Sequence, residues 1–197
     1  MKKLLAFSAL SAGLAIALSG CASSSMDPGM DHSTPSVGSQ SPDASASFNA
    51  SDDMFISMMI GHHQQAIELS DIVLAKDGLP KDVKDLANTI KAAQSPEIAT
   101  LEKWQKELNL STPQGHSMGG DDGMVSDKEI EDLKAASGSQ AANLFLQQMT
   151  AHHEGAVDMA KDEISNGKYQ PAIDMAKEIV ASQSAEIDQM KKMLGSK

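Results

Sequence analysis

The sequence predicts an all-α protein, a four-helix bundle made from one helical hairpin used twice, and three observations carry that expectation. First, two segments align at an offset of 90 residues, so that Phe55, Met59, His62, His63 and Ala66 fall on Phe145, Met149, His152, His153 and Ala156, and Gln94-Ser95-Pro96-Glu97-Ile98 falls on Gln183-Ser184-Ala185-Glu186-Ile187 at an offset of 89. A recurring helix–turn–helix unit implies four helices related by a pseudo-two-fold axis. Second, aromatic residues make up only 3% of the chain, so the core must come from Ala, Leu, Ile, Val and Met, which suits helices rather than a sandwich or barrel. Third, no stretch alternates apolar and polar residues as a half-buried strand does.

The first element is an address. Lys2 and Lys3 precede an apolar run, Leu4 to Leu18, that is short for a membrane span and reads as a signal peptide over residues 1–20. Its ending, Leu18-Ser19-Gly20-Cys21, resembles a bacterial lipobox, which implies cleavage before Cys21 and a lipid on its thiol. Cleavage there removes two Lys and no acid, leaving 14 Lys against 27 acids and a charge of −13. The single cysteine is then occupied, so thiol redox chemistry and Cys-rich zinc sites are excluded. The absence of Arg and the net negative charge argue against nucleic acid as a partner. Residues 21–51 are rich in Ser, Pro, Gly and Asp, a composition that reads as a flexible tether spanning about 30 Å.

The bundle domain is expected over residues 52–197. The first helix should run over 52–76, closed by Asp77-Gly78, and the second over 81–109 with Pro96 as a kink. Residues 111–125 form a Gly-rich loop. Ser126 and Glu129 are placed as a capping box that opens a short helix to about Ala136. The third long helix is expected over 139–166, closed by Asn166-Gly167, and the fourth over 170–194 with Pro171 in its first turn.

Phe55, Met59, His62, Ala66, Leu69 and Val73 form a heptad-like seam, so His62 points into the bundle one turn from Met59, as His152 does from Met149. His63 and His153 fall about 100° round, at the flank of the seam. The second helix offers Val83, Leu86, Ile90, Gln94, Glu97, Leu101 and Trp104, and the fourth Ala172, Met175, Ile179, Gln183, Glu186, Met190 and Met193. Each contains a Gln and a Glu where an apolar residue is expected. An unpartnered buried carboxylate costs several kcal/mol, so two at matching positions point to a polar layer with metal-ligand chemistry. Alternatively, such a layer only fixes bundle register, and Met stripes are ordinary core filler. Met26, Met30 and His32 in the tether, and His116, Met118 and Met124 in the loop, cannot be core; thioether with imidazole is a donor set for copper.

The paired F-x-x-x-M-x-x-H-H-x-x-A and Q-S-x-E-I elements resemble the bacterial envelope family known as domain of unknown function 305, grouped with ferritin-like four-helix bundles, over about residues 52–194. The resemblance implies export and the binding of copper or silver in metal tolerance. By motif it implies Met59, His62, His63, Met149, His152 and His153 as ligands, with Glu97 and Glu186 nearby; Met58, Glu97, Glu186, Gln94 and Gln183 are the candidates for additional ligands or for residues that orient them. Gln148 stands where the first half has Met58, so the halves differ. The ferritin-like grouping also raises a metal oxidase as an alternative, but Met59 and Met149 stand where a di-iron site has Glu, and thioethers favour Cu(I) over Fe(III) or Mn. A structural or interaction module of the envelope without metal is a third reading. The expectation is a lipid-anchored, extracytoplasmic protein that binds copper for buffering, transfer to a partner protein or tolerance, without catalysis. No triad, phosphate loop or dinucleotide fingerprint is present.

Overall fold

The structure is a computed structural model that describes residues 48–110 and 122–195. The signal peptide, Cys21, the tether residues Met26, Met30 and His32, and His116 and Met118 lie outside the described residues.

Five helices account for the described chain: α1 (Ala50–Leu74), α2 (Lys81–Glu107), α3 (Asp127–Ala135), α4 (Gly138–Asn166) and α5 (Gln170–Gly195). No strand occurs among the described residues. The hairpins α1–α2 and α4–α5 are the two halves of the repeat, and α1 packs against α4 to join them. α3 is the short helix of the Ser126 and Glu129 capping box, in which each residue's side chain receives the other's backbone N–H. It lays Ile130 and Leu133 against α1 and α4. α2 runs unbroken through Pro96.

Two apolar clusters fill the bundle. α1 gives Leu69 and Val73 to one and Phe55, Ile56 and Met59 to the other. Running the opposite way, α4 gives Phe145 and Met149 to the first and Ala156 and Ala160 to the second. α2 divides between Ile90 and Leu101, and α5 between Met190 and Ile179. Between the clusters each long helix presents polar residues: His62 and His63, Gln94 and Glu97, His152 and His153, Gln183 and Glu186.

α1 starts two residues earlier than its apolar pattern does. Asn49 is its N-cap, accepting from the Ser51 and Asp52 amides at 2.8 and 3.1 Å, and Asp52 accepts the Asn49 amide at 2.5 Å. The second oxygen of Asp52 takes the amides of Lys168 and Tyr169, at 2.9 and 2.8 Å, where the chain enters α5. One fully buried carboxylate thus ties the start of α1 to the α4–α5 turn. Glu163 of α4, also buried, hydrogen-bonds to Asp52 and accepts from the Ser51 hydroxyl at 3.2 Å. Burial, the largest effect, together with Asp52 beside it, pushes the Glu163 carboxyl up to about 8. Burial also acts upward on Asp52, but the Tyr169 amide, the Glu163 side chain and the Asn49 and Lys168 amides outweigh it and hold Asp52 below its usual value. Glu163 is therefore the protonated partner, donating to an ionised Asp52.

This pair makes stability depend on pH. Above pH 4.5 the unfolded chain loses the Glu163 proton while the folded protein keeps it to about pH 8, so stability falls across that window and levels off above it. Thermal melts should show the protein losing on the order of 5 °C more than Glu163→Gln between pH 5 and pH 8. Parallel melting curves for the two proteins would remove the shared proton from the explanation.

Candidate metal centre

His62 sits in mid-α1 and His152 in mid-α4, and the antiparallel crossing of these helices brings their rings into contact. The centroids are 3.7 Å apart and the planes tilted by 39°. Both side chains are buried, at 2% and 0% exposure. Burial, aided by the other histidines, lowers His62 to about 3 despite the upward effect of its backbone partner, and places His152 well below the ordinary value. Both rings are neutral at physiological pH, the form in which imidazole offers a lone pair to a metal.

His63 and His153, expected at the flank of the seam, are completely buried. The reason is the neighbouring helix of each hairpin: α2 covers His63 and sets Glu97 2.8 Å from its Nε2, and α5 covers His153 and sets Glu186 2.8 Å from its Nε2. The glutamates are correspondingly not the unpartnered core carboxylates their seam positions imply. Their side chains are 22% and 14% exposed, and each accepts from a histidine. They belong to the outer pair of rings and not to the inner one.

The ring nitrogens follow one pattern. Nε2 of His62 lies 3.0 Å from the Asp122 carbonyl, which can only accept, so Nε2 carries the hydrogen and Nδ1 is bare. In His63 and His153 the glutamate carboxylates likewise take the Nε2–H. Nδ1 of all three is buried without a partner, and neither nitrogen of His152 has a partner at hydrogen-bond geometry. Imidazoles whose far N–H is held by a carboxylate or carbonyl while the near nitrogen stays open are the arrangement that metal-ligating histidines adopt.

Met59 and Met149 are fully buried one turn from His62 and His152, and they enter opposite apolar clusters on the two sides of the histidine layer. Gln94 and Gln183 are buried with their carbonyl oxygens unpartnered. Met58 is half-buried. Met124 is exposed, apart from the layer. Among the described residues no three His, Cys, Asp or Glu side chains converge as a ready-made cage. The inner centre therefore offers two neutral imidazoles, with thioethers beyond them, rather than a carboxylate-rich site.

Sequence patterning alone did not single out Asp122, Gln65 or Gly155. Gln65 holds the segment that carries Asp122, bonding to the Val125 carbonyl and amide at 2.8 Å each. Gly155 is where that segment crosses α4. The available signal was a broken repeat: at an offset of 90, Gln65 falls on Gly155. Gln148, the counterpart of Met58, donates to the Glu129 carbonyl at 2.8 Å and so anchors α3.

Residues 52–194 match the family described as domain of unknown function DUF305. The chain belongs to this family. Among solved structures, a DUF305 fragment from Deinococcus radiodurans is similar with a TM-score of 0.70 at 26% identity, over 76% of this chain and 98% of that one. A DUF305 protein from Streptomyces coelicolor gives 0.69 at 33% identity over 74% and 91%. CopM in its Cu(I)-bound form gives 0.61 at 30% identity over 74% and 96%, and CopM is also known in Cu(II)-bound, Ag-bound and apo forms. No curated protein matches the chain.

Neutral buried histidines leave a mark on acid stability. Below pH 6.5 the unfolded chain binds protons that folded His62 refuses until about pH 3, so stability falls as pH drops through this range. In the metal-free protein, His62→Leu/His152→Leu should avoid about 2 kcal/mol of this loss per histidine between pH 6.5 and 4.5, measured by denaturant titration at both pH values.

Proposed function

We propose that this DUF305 protein is an exported, lipid-anchored protein of the bacterial envelope that binds copper in its bundle core and holds or passes it on without catalysing a reaction. The observation that carries this reading is the set of buried Nδ1 atoms without a hydrogen-bond partner on His62, His63 and His153, each ring bonded to an oxygen at Nε2, with neither nitrogen of His152 at hydrogen-bond geometry. Leaving so many buried polar atoms unpartnered costs on the order of 1–3 kcal/mol each, a cost that bound metal offsets. The donor set is neutral and soft. Imidazole with the thioethers Met59 and Met149 suits Cu(I), and by the same chemistry Ag(I), better than hard, highly charged ions. The CopM forms with copper and silver, at 30% identity, support the same choice.

Export rests on the signal peptide and on a DUF305 relative from Streptomyces coelicolor described as secreted. Among the described residues no helix is long and apolar enough to cross a membrane, which leaves the Cys21 lipid as the proposed anchor. The Met and His residues outside the bundle core, Met26, Met30, His32, His116, Met118 and Met124, serve in this reading as collectors of ions from solution.

Titration with Cu(I) under reductant should raise the melting temperature by about 5–10 °C at roughly 100 times Kd, because only the folded state presents the site. His62→Ala/His152→Ala should weaken Cu(I) binding more than about 100-fold, while Glu97→Gln/Glu186→Gln should weaken it about 10–100-fold by releasing the outer rings. Unchanged affinity in the double histidine variant would sink the core site. Absence of stabilisation by Cu(I), Cu(II) or Ag(I) would leave the polar layer a packing device.

A further inference from the structure

Asp122 to Val125 form a short strap laid across α1 and α4 directly over His62. Three features seat it. Gln65 grips Val125 at both its amide and its carbonyl, at 2.8 Å each. Asp122 folds its own turn, its Oδ1 accepting the Met124 amide at 3.1 Å, and Gly123 adopts a φ of +77° that side chains disfavour. Backbone meets backbone at Gly155: a Cβ there would stand 1.9 Å from the Asp122 carbonyl oxygen, and a Cβ on Gly123 2.5 Å from the Ala151 carbonyl oxygen. Only two glycines facing each other allow the strap to lie this deep. At that depth the Asp122 carbonyl reaches His62 Nε2.

The repeat shows that this is particular to one half. His152 is the counterpart of His62, yet among the described residues no loop carbonyl meets either of its ring nitrogens at hydrogen-bond geometry. Gln65, which grips the strap, and Gly155, which makes room for it, are counterparts at the offset of 90. One repeat position, with a different residue in each half, thus serves the same segment from both sides.

Resting on the copper reading above, we infer that the Asp122–Val125 strap is a positioning element that fixes His62 as its Nε2–H tautomer, commits Nδ1 as its metal-binding atom, and makes the two inner histidines unequal, His62 pre-set and His152 adaptable. The contact of the strap with the histidine layer is the Asp122 carbonyl on His62. It acts through the ring, as the carboxylates do for the outer pair.

The test uses Gly155→Ala, which drives the strap off α4, and Gln65→Ala, which frees it from α1. Gly61→Ala is the control, since a Cβ at Gly61 meets nothing within 4 Å. Long-range ¹H–¹⁵N correlation spectra of the metal-free protein should show His62 as a single Nε2–H tautomer in the wild type and in Gly61→Ala. Both strap variants should show a mixture of tautomers. Release of Cu(I) to a competing chelator should accelerate about tenfold in the strap variants, with circular dichroism unchanged. A fixed Nε2–H tautomer in both strap variants would overturn the inference, as would tautomer mixing already present in the wild type. The spectra need no metal, so they decide the strap's role even if the wild type proves not to bind copper.

Discussion

The constraint on which the rest of this structure depends is the burial of four imidazoles in the middle of a bundle. An apolar interior disfavours such groups unless an acceptor meets their N–H. Each of the surrounding devices supplies such an acceptor. α2 and α5 bring Glu97 and Glu186 to the outer rings, and a segment between the repeats brings the Asp122 carbonyl to His62. What remains is a set of buried ring nitrogens without hydrogen-bond partners, in a layer between two apolar clusters.

The duplication explains how such a layer is assembled and also where symmetry fails. Each hairpin supplies one inner and one outer histidine and one glutamate, so pairing the hairpins through α1 and α4 doubles the half-site. The inter-repeat segment has no second copy, and its docking needs different residues from each half. Gln65 and Gln148 hold it and α3, while Gly155 lets it approach. The difference between Met58 and Gln148, legible in the sequence as unequal halves, has its physical cause in anchoring α3.

A second buried polar device closes the end of the bundle. Glu163 keeps its proton beside an ionised Asp52 next to the α1 N-terminus and the α4–α5 turn, and Asp52 satisfies amides from both. It lies apart from the histidine layer and joins the same two halves. The α1–α4 contact is therefore fixed at two levels, by ring stacking in the middle and by a carboxyl pair at one end.

The sequence by itself determined the helices, their order, the duplication and the inward direction of His62 and His152. Those features depend on local periodicity, capping and repeat spacing, which are written in consecutive residues. The capping box at Ser126 and the closure at Asn166-Gly167 were legible for the same reason. Only the tertiary structure decided that His63 and His153 are buried, because whether a helix flank faces solvent depends on the helix beside it. It also decided that Glu97 and Glu186 serve those rings, and that Asp52 finds a partner 111 positions away in Glu163. Least legible was the Asp122 carbonyl on His62, a contact made by backbone, to which the identity of the residue supplying it contributes nothing.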